Sequence, residues 1–133
     1  MAKFKIIPID LYKRDITVFV GSHDEFKEWV ASYNVPASWE QLIESIVLSE
    51  DDAVASYWYN RNNGNGIIEL PCHPKSKEEI GVAAHECLHC VMHTLSYINI
   101  PCIPHEANEA YTYLLEHILV NVLDYNNYEL INI

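Results

Sequence analysis

No lysine or arginine occurs beyond Lys77, although residues 78–133 carry 8 acidic side chains and five of the seven histidines: His85, His89, His93, His105 and His117. The whole chain holds 8 Lys+Arg against 19 Asp+Glu, a formal net charge of −11 over 133 residues. A surface of that sign releases no counterions from a phosphate backbone and is repelled by anionic headgroups, so neither nucleic acid nor membrane is an expected partner. Long apolar runs are missing too. None approaches the ~18 residues of a membrane span, and Met1-Ala2-Lys3-Phe4 leads straight into strand-like sequence rather than a signal peptide. The four cysteines, Cys72, Cys87, Cys90 and Cys102, are therefore expected to be reduced thiols in a cytoplasmic protein. Internal repeats, low-complexity tracts and linkers are absent as well. Residues 1–133 are expected to fold as one domain, long enough to bury about two thirds of the unfolded surface without staples.

What is present is a mixture of strand and helix patterns, an α+β composition. Residues 4–10 and 15–20 are β-branched and aromatic runs separated by Leu11-Tyr12-Lys13-Arg14, which predicts a hairpin. Ser22 followed by Glu25 is a capping box, and Phe26, Trp29, Val30 and Tyr33 recur at helical spacing behind it. Residues 38–47 are a further candidate helix. Residues 53–60 alternate like a strand, Asn62-Asn63-Gly64-Asn65-Gly66 is turn chemistry, and Ile67-Ile68-Glu69-Leu70 predicts the second arm of another hairpin. Ser76 with Glu79 is a second capping box, opening a helix to about Ser96 whose apolar stripe is Ile80, Ala84, Cys87, Leu88, Val91 and Leu95. A following helix from near Pro104 has Tyr111, Leu114, Leu115, Ile118 and Val122 on its apolar stripe. Glu106, Glu109, Tyr113, Glu116 and His117 share its polar face. The first helix sets His85, Glu86, His89 and His93 opposite its core stripe, so the pair of helices suggests one shared polar cleft.

An excess of carboxylates beside imidazoles calls for a cation, and His85-Glu86-Cys87-Leu88-His89 supplies a place for one. Residues four apart on a helix are separated by ~6 Å of rise, so both imidazoles can close on one Zn2+ ion at ~2.0–2.1 Å. Glu86 projects beside that point and can take a proton from a water whose pKa the ion draws down towards ~7. His93 continues the series but lies ~12 Å along the axis from His85, too far to join the same ion. Glu109, on the polar face of the next helix, is the preferred third ligand, with Glu106 one turn earlier as the alternative.

These residues resemble the gluzincin metallopeptidases, the thermolysin-like branch of the zincins, in which a glutamate from a following helix completes an H-E-x-x-H zinc site. The stretch from Ile67-Ile68-Glu69-Leu70-Pro71 through the capped helix to Glu109-Ala110-Tyr111-Thr112-Tyr113-Leu114-Leu115 is also similar to small bacteriophage proteins with the same arrangement. The resemblance spans residues 67–118. It implies a minimal zincin-like domain, a small mixed sheet of about four strands packed on the active-site helix and a C-terminal helix. It further implies His85, His89 and Glu109 as zinc ligands, Glu86 as general base and the strand at residues 67–70 as the cleft edge that holds an extended peptide. Two departures stand out: Thr112-Tyr113 replaces the Ser-Asp pair of the larger enzymes, and their separate C-terminal lobe has no counterpart.

The expected activity is that of a zinc-dependent, peptidase-like hydrolase acting on a peptide, a protein or a peptidoglycan peptide, in the cytoplasm of an infected bacterium or in a virion. Tyr113 and His117 are the preferred donors to the oxyanion, ahead of His105, because they share the Glu109 face. The competing expectation from another class is a non-catalytic binding module or virion component with a structural metal. A Cys72/His73/Cys87/Cys90 zinc site is a weaker idea, since Cys87 and Cys90 diverge on the helix. Trp29, Trp39, Tyr57, Trp58 and Tyr59 lack the basic neighbours of a base-stacking surface and are expected in the core or at an interface.

Overall fold

The computed structural model describes residues 2–32, 55–59, 64–104 and 108–131. The candidate helix at 38–47, Trp39, His105 and Glu106 lie outside them. Alternation of apolar residues produces the first hairpin as expected: β1 (Lys3–Ile9) and β2 (Arg14–Val20) pair antiparallel from Lys3↔Val20 to Ile9↔Arg14. Their connection is a 3₁₀ turn, Asp10–Tyr12, closed by Lys13 in the left-handed region. The second hairpin forms between β3 (Ser56–Tyr59) and β4 (Gly66–Leu70), again antiparallel. Gly66 opens β4 because a Cβ there would collide with the Tyr57 phenol.

Two features of the sheet were not foreseen. β4 pairs in parallel with β2, joining the hairpins, and β5 (Glu129–Leu130) adds a strand beside β1. The result is a five-stranded mixed sheet in the order β3-β4-β2-β1-β5, one strand more than expected, in an α+β fold with three α-helices among the described residues.

Both faces of the sheet are covered, and the two-residue period of the strands divides the core accordingly. Ile16, Val18 and Val20 of β2 join Ile68 and Leu70 of β4 under α2 (Lys77–Tyr97) and α3 (Glu109–Leu123). Phe19 and Ile67 point the other way, into a cluster with Phe26, Trp29 and Val30 of α1 (His23–Ala31). Trp58 stacks on Phe26 from β3, and its indole N–H donates to Glu69 at 3.1 Å. Glu69 also meets the His23 ring at 2.7 Å, so this buried carboxylate is held on the α1 side of the sheet.

Both capping boxes form. Ser22 and Ser76 each accept from the amide three residues on, and Glu25 and Glu79 return the bond. The Cys72 thiol donates to the second Glu79 oxygen at 2.9 Å, and that contact, with the Ser76 and Lys75 amides, holds the Glu79 carboxyl at about 2, below its ordinary 4.5. A depressed carboxyl stabilises the fold above its unfolded value and loses that contribution as pH falls through its folded value. The first turn of α2 is therefore expected to loosen between about pH 4.5 and 2. Amide exchange at Glu79 and Ile80 followed against pH tests this: Glu79→Gln should flatten the dependence, and an unchanged profile would count against it.

The buried stripe of α2 is rotated from the expected one. Ala83, Cys87, Cys90, Val91, Thr94 and Leu95 are buried, whereas Leu88 is 45% exposed on the outer flank and Ile80, ahead of the first buried turn, is 37% exposed. Burial pushes the Cys87 and Cys90 thiols up to about 12, so both are inert packing groups. α3 buries Leu114, Ile118 and Val122 as expected, but starts at Glu109 rather than near Pro104. Its C-terminal carbonyls are met by buried Lys5, whose ammonium donates to Asn121 O at 2.8 Å and Asp124 O at 3.1 Å, a favourable place for a cation.

Gly81 stands inside α2 with no packing reason: a Cβ there would meet nothing within 4 Å. Gly81→Ala is accordingly expected to stabilise the fold by roughly 0.5–1 kcal/mol. Thermal unfolding checks it, and a lowered midpoint would show a hidden constraint.

Candidate metal and catalytic site

The outer face of α2 leans toward β3, the terminal strand of the sheet among the described residues. Helical spacing stacks His85 and His89 one turn apart, and their Nε2 atoms converge to 3.2 Å with the rings edge to face. Two ligand nitrogens at ~2.0–2.1 Å from one tetrahedral ion stand roughly 3.3–3.4 Å apart. The pair thus has the spacing of two ligands to one ion. The same separation suits a hydrogen bond donated from one ring to the other, which keeps the rings converged. Both are solvent-accessible, so an ion can reach them.

Glu86, unlike the two exposed histidines, is only 7% exposed. One carboxylate oxygen lies 3.9 Å from His85 Nε2. It borders two grooves. One, of roughly 530 Å³, runs along Ala55, Glu78, Gly81, Val82, His85 and Glu86. The other, of roughly 330 Å³, runs along Ser56, Tyr57, Trp58, Tyr59, Glu86 and His89. The carboxylate is shared by the two grooves, which together make the trough between α2 and residues 55–59.

No family model, curated protein or solved structure matches the chain. The reading of the site rests on its own geometry.

The expected cleft edge needs correction. The strand at residues 67–70 belongs to β4, which is paired on both sides by β2 and β3 and buried throughout. β3 takes its place as the wall of the site. The expected oxyanion donors move as well. Tyr113 and His117 line a different groove, with Pro8, Ile9, Asp10, Leu11 and Tyr12, and His117 Nε2 lies 3.2 Å from Pro8 O. They share neither groove that Glu86 borders, because α3 turns this part of its polar face toward the β1 end of the sheet.

Glu109 occupies the exposed first turn of α3. Among the described residues, no three His, Cys, Asp or Glu side chains gather into a group able to hold a metal ion, so the structure does not place Glu109 with the histidine pair, nor Cys72, His73, Cys87 and Cys90 with one another. His93 is drawn away from the pair: its Nδ1 lies 3.1 Å from the Tyr57 hydroxyl and its ring 4.0 Å from that of Tyr59. Burial, with the Arg14 charge, lowers its pKa. The aromatic strand Ser56-Tyr57-Trp58-Tyr59 is the part of the site that the motif alone did not reveal. Its adjacency to the histidine helix follows from the β3–β4 hairpin packing, a long-range contact.

No helix among the described residues is long and apolar enough to cross a membrane.

Proposed function

We propose that this chain is a zinc-dependent, peptidase-like hydrolase, with His85 and His89 holding the ion, Glu109 as third ligand and Glu86 as general base. The observation that supports it most directly is the 3.2 Å convergence of the two Nε2 atoms with the Glu86 carboxylate beside them. When bound, zinc supplies Lewis acidity for the carbonyl and lowers the pKa of water. The chain's own work is proton transfer and positioning. Glu86 accepts the proton of the attacking water and delivers it to the leaving amine, a role its place 3.9 Å from His85 Nε2 suits. Its low exposure keeps the carboxylate away from bulk water, which strengthens its interactions at the site. β3, the terminal strand among the described residues, orients an extended peptide along the trough by backbone pairing, a sequence-tolerant mode that explains a site with few specific side chains.

The experiment is metal analysis of protein purified without chelator, followed by zinc titration of the native chain and of His85→Ala. The native chain should take up one equivalent and the variant none. Equal uptake by both, or none by the native chain after zinc addition, would sink the proposal.

A further inference from the structure

We infer that the groove walled by Glu78 and floored by Gly81 is a subsite for a cationic side chain, lysine or arginine, on the peptide residue next to the scissile bond; this rests on the hydrolase reading above. The groove contacts His85 and Glu86 directly, so a peptide held for reaction at Glu86 places a neighbouring side chain in it. Gly81 lies one turn before His85 on the same line of α2, and any side chain there would project into this space. A Cβ at Gly81 meets nothing within 4 Å, so packing does not demand glycine. The helix gives up propensity at this position, and what it gains is an unobstructed floor beside the reacting groups.

The lining also has the polarity of a long basic side chain. Ala55, Gly81 and Val82 offer apolar surface to a methylene stem, and the Glu78 carboxylate offers a partner to its charged head. Glu78 lies ~10 Å along the helix axis from His85, a span that such a side chain and an ion-pair contact bridge together. Glu78 already has Lys77 Nζ at 3.9 Å, but both side chains are largely exposed, and an ion pair of that kind exchanges readily for another cation. The opposite end of the trough is different. Among the described residues, Tyr57, Trp58 and Tyr59 line it with no acid beyond Glu86, which assigns the cation to the Glu78 end.

The test uses the zinc-loaded full chain carrying Glu86→Gln, which holds peptides without cleaving them. Fluorescence anisotropy compares two labelled alanine-based peptides that differ only in a central lysine or norleucine. The lysine peptide should bind about three- to fivefold more tightly, the scale of one exposed ion pair. Adding Glu78→Gln should bring the two to parity. Adding Gly81→Leu should weaken both by about tenfold, with circular dichroism confirming the fold; the Glu78→Gln comparison stands even where Gly81→Leu does not fold. Equal binding of the two peptides, a lysine preference that survives Glu78→Gln, or no measurable binding of either would overturn the subsite. Failure of the hydrolase reading looks different: the native chain would bind zinc and prefer the lysine peptide, yet cleave neither.

Discussion

Glu86→Gln is expected to lower the turnover of a fluorogenic peptide by about 10²–10⁴-fold, the usual contribution of a positioned general base, while zinc stays bound. Glutamine preserves the volume of a residue that is only 7% exposed, so the trough between α2 and β3 keeps its shape. It cannot accept the proton of the attacking water, and that is the only step the change should remove. Zinc retention follows from the proposed division of roles, in which the two converged imidazoles hold the ion and Glu86 handles the proton. Paired measurements of kcat/KM and bound zinc decide the matter. Full activity in the variant would remove Glu86 from the chemistry, and loss of zinc would make it a ligand instead. A native chain that binds zinc and peptide without turnover would be a binding module.

The parts of this fold that could be read from sequence are those set by near neighbours. Ser22 with Glu25 and Ser76 with Glu79 close their capping boxes within a single turn, and His85 with His89 converge because the helix repeat alone stacks them. The two hairpins follow from local alternation. The parallel pairing of β2 with β4 has no local signal, yet it puts residues 67–70, which the resemblance implies as the cleft edge, inside the sheet, with β3 the terminal strand among the described residues. Periodicity likewise defines an arc of a helix without defining its partner. Leu88 falls outside the buried arc of α2 and Cys90 and Thr94 within it, because α2 packs on both the sheet and α3. The polar face of α3 was correctly polar but pointed elsewhere, carrying Tyr113 and His117 to the groove at Pro8–Tyr12. Lys5 carries no local signal of its role; its partners, the carbonyls of Asn121 and Asp124, lie more than 100 residues away in the chain.

The order of zinc affinities among four variants is the second large effect expected. His85→Ala and His89→Ala should each abolish stoichiometric binding, since each removes one of the two converged imidazoles. Glu109→Ala should weaken binding by about 100-fold, taking the ~10–16 kcal/mol of a four-ligand zinc site as shared among its ligands. His93→Ala should change affinity by no more than about twofold, because its ring lies ~12 Å along the axis from His85. That variant should act on stability instead. Its Nδ1 meets the Tyr57 hydroxyl and its ring packs on Tyr59, so truncation leaves the phenol of a half-buried tyrosine without that partner and removes a contact joining β3 to α2. A cost of about 1–3 kcal/mol is expected from chemical denaturation, with zinc affinity nearly unchanged. Competition titration against a chromogenic chelator ranks all four. If His93→Ala weakens zinc more than Glu109→Ala does, the third ligand is misassigned. If Glu106→Ala produces the 100-fold loss and Glu109→Ala none, the role passes to Glu106, three residues ahead of the first residue of α3.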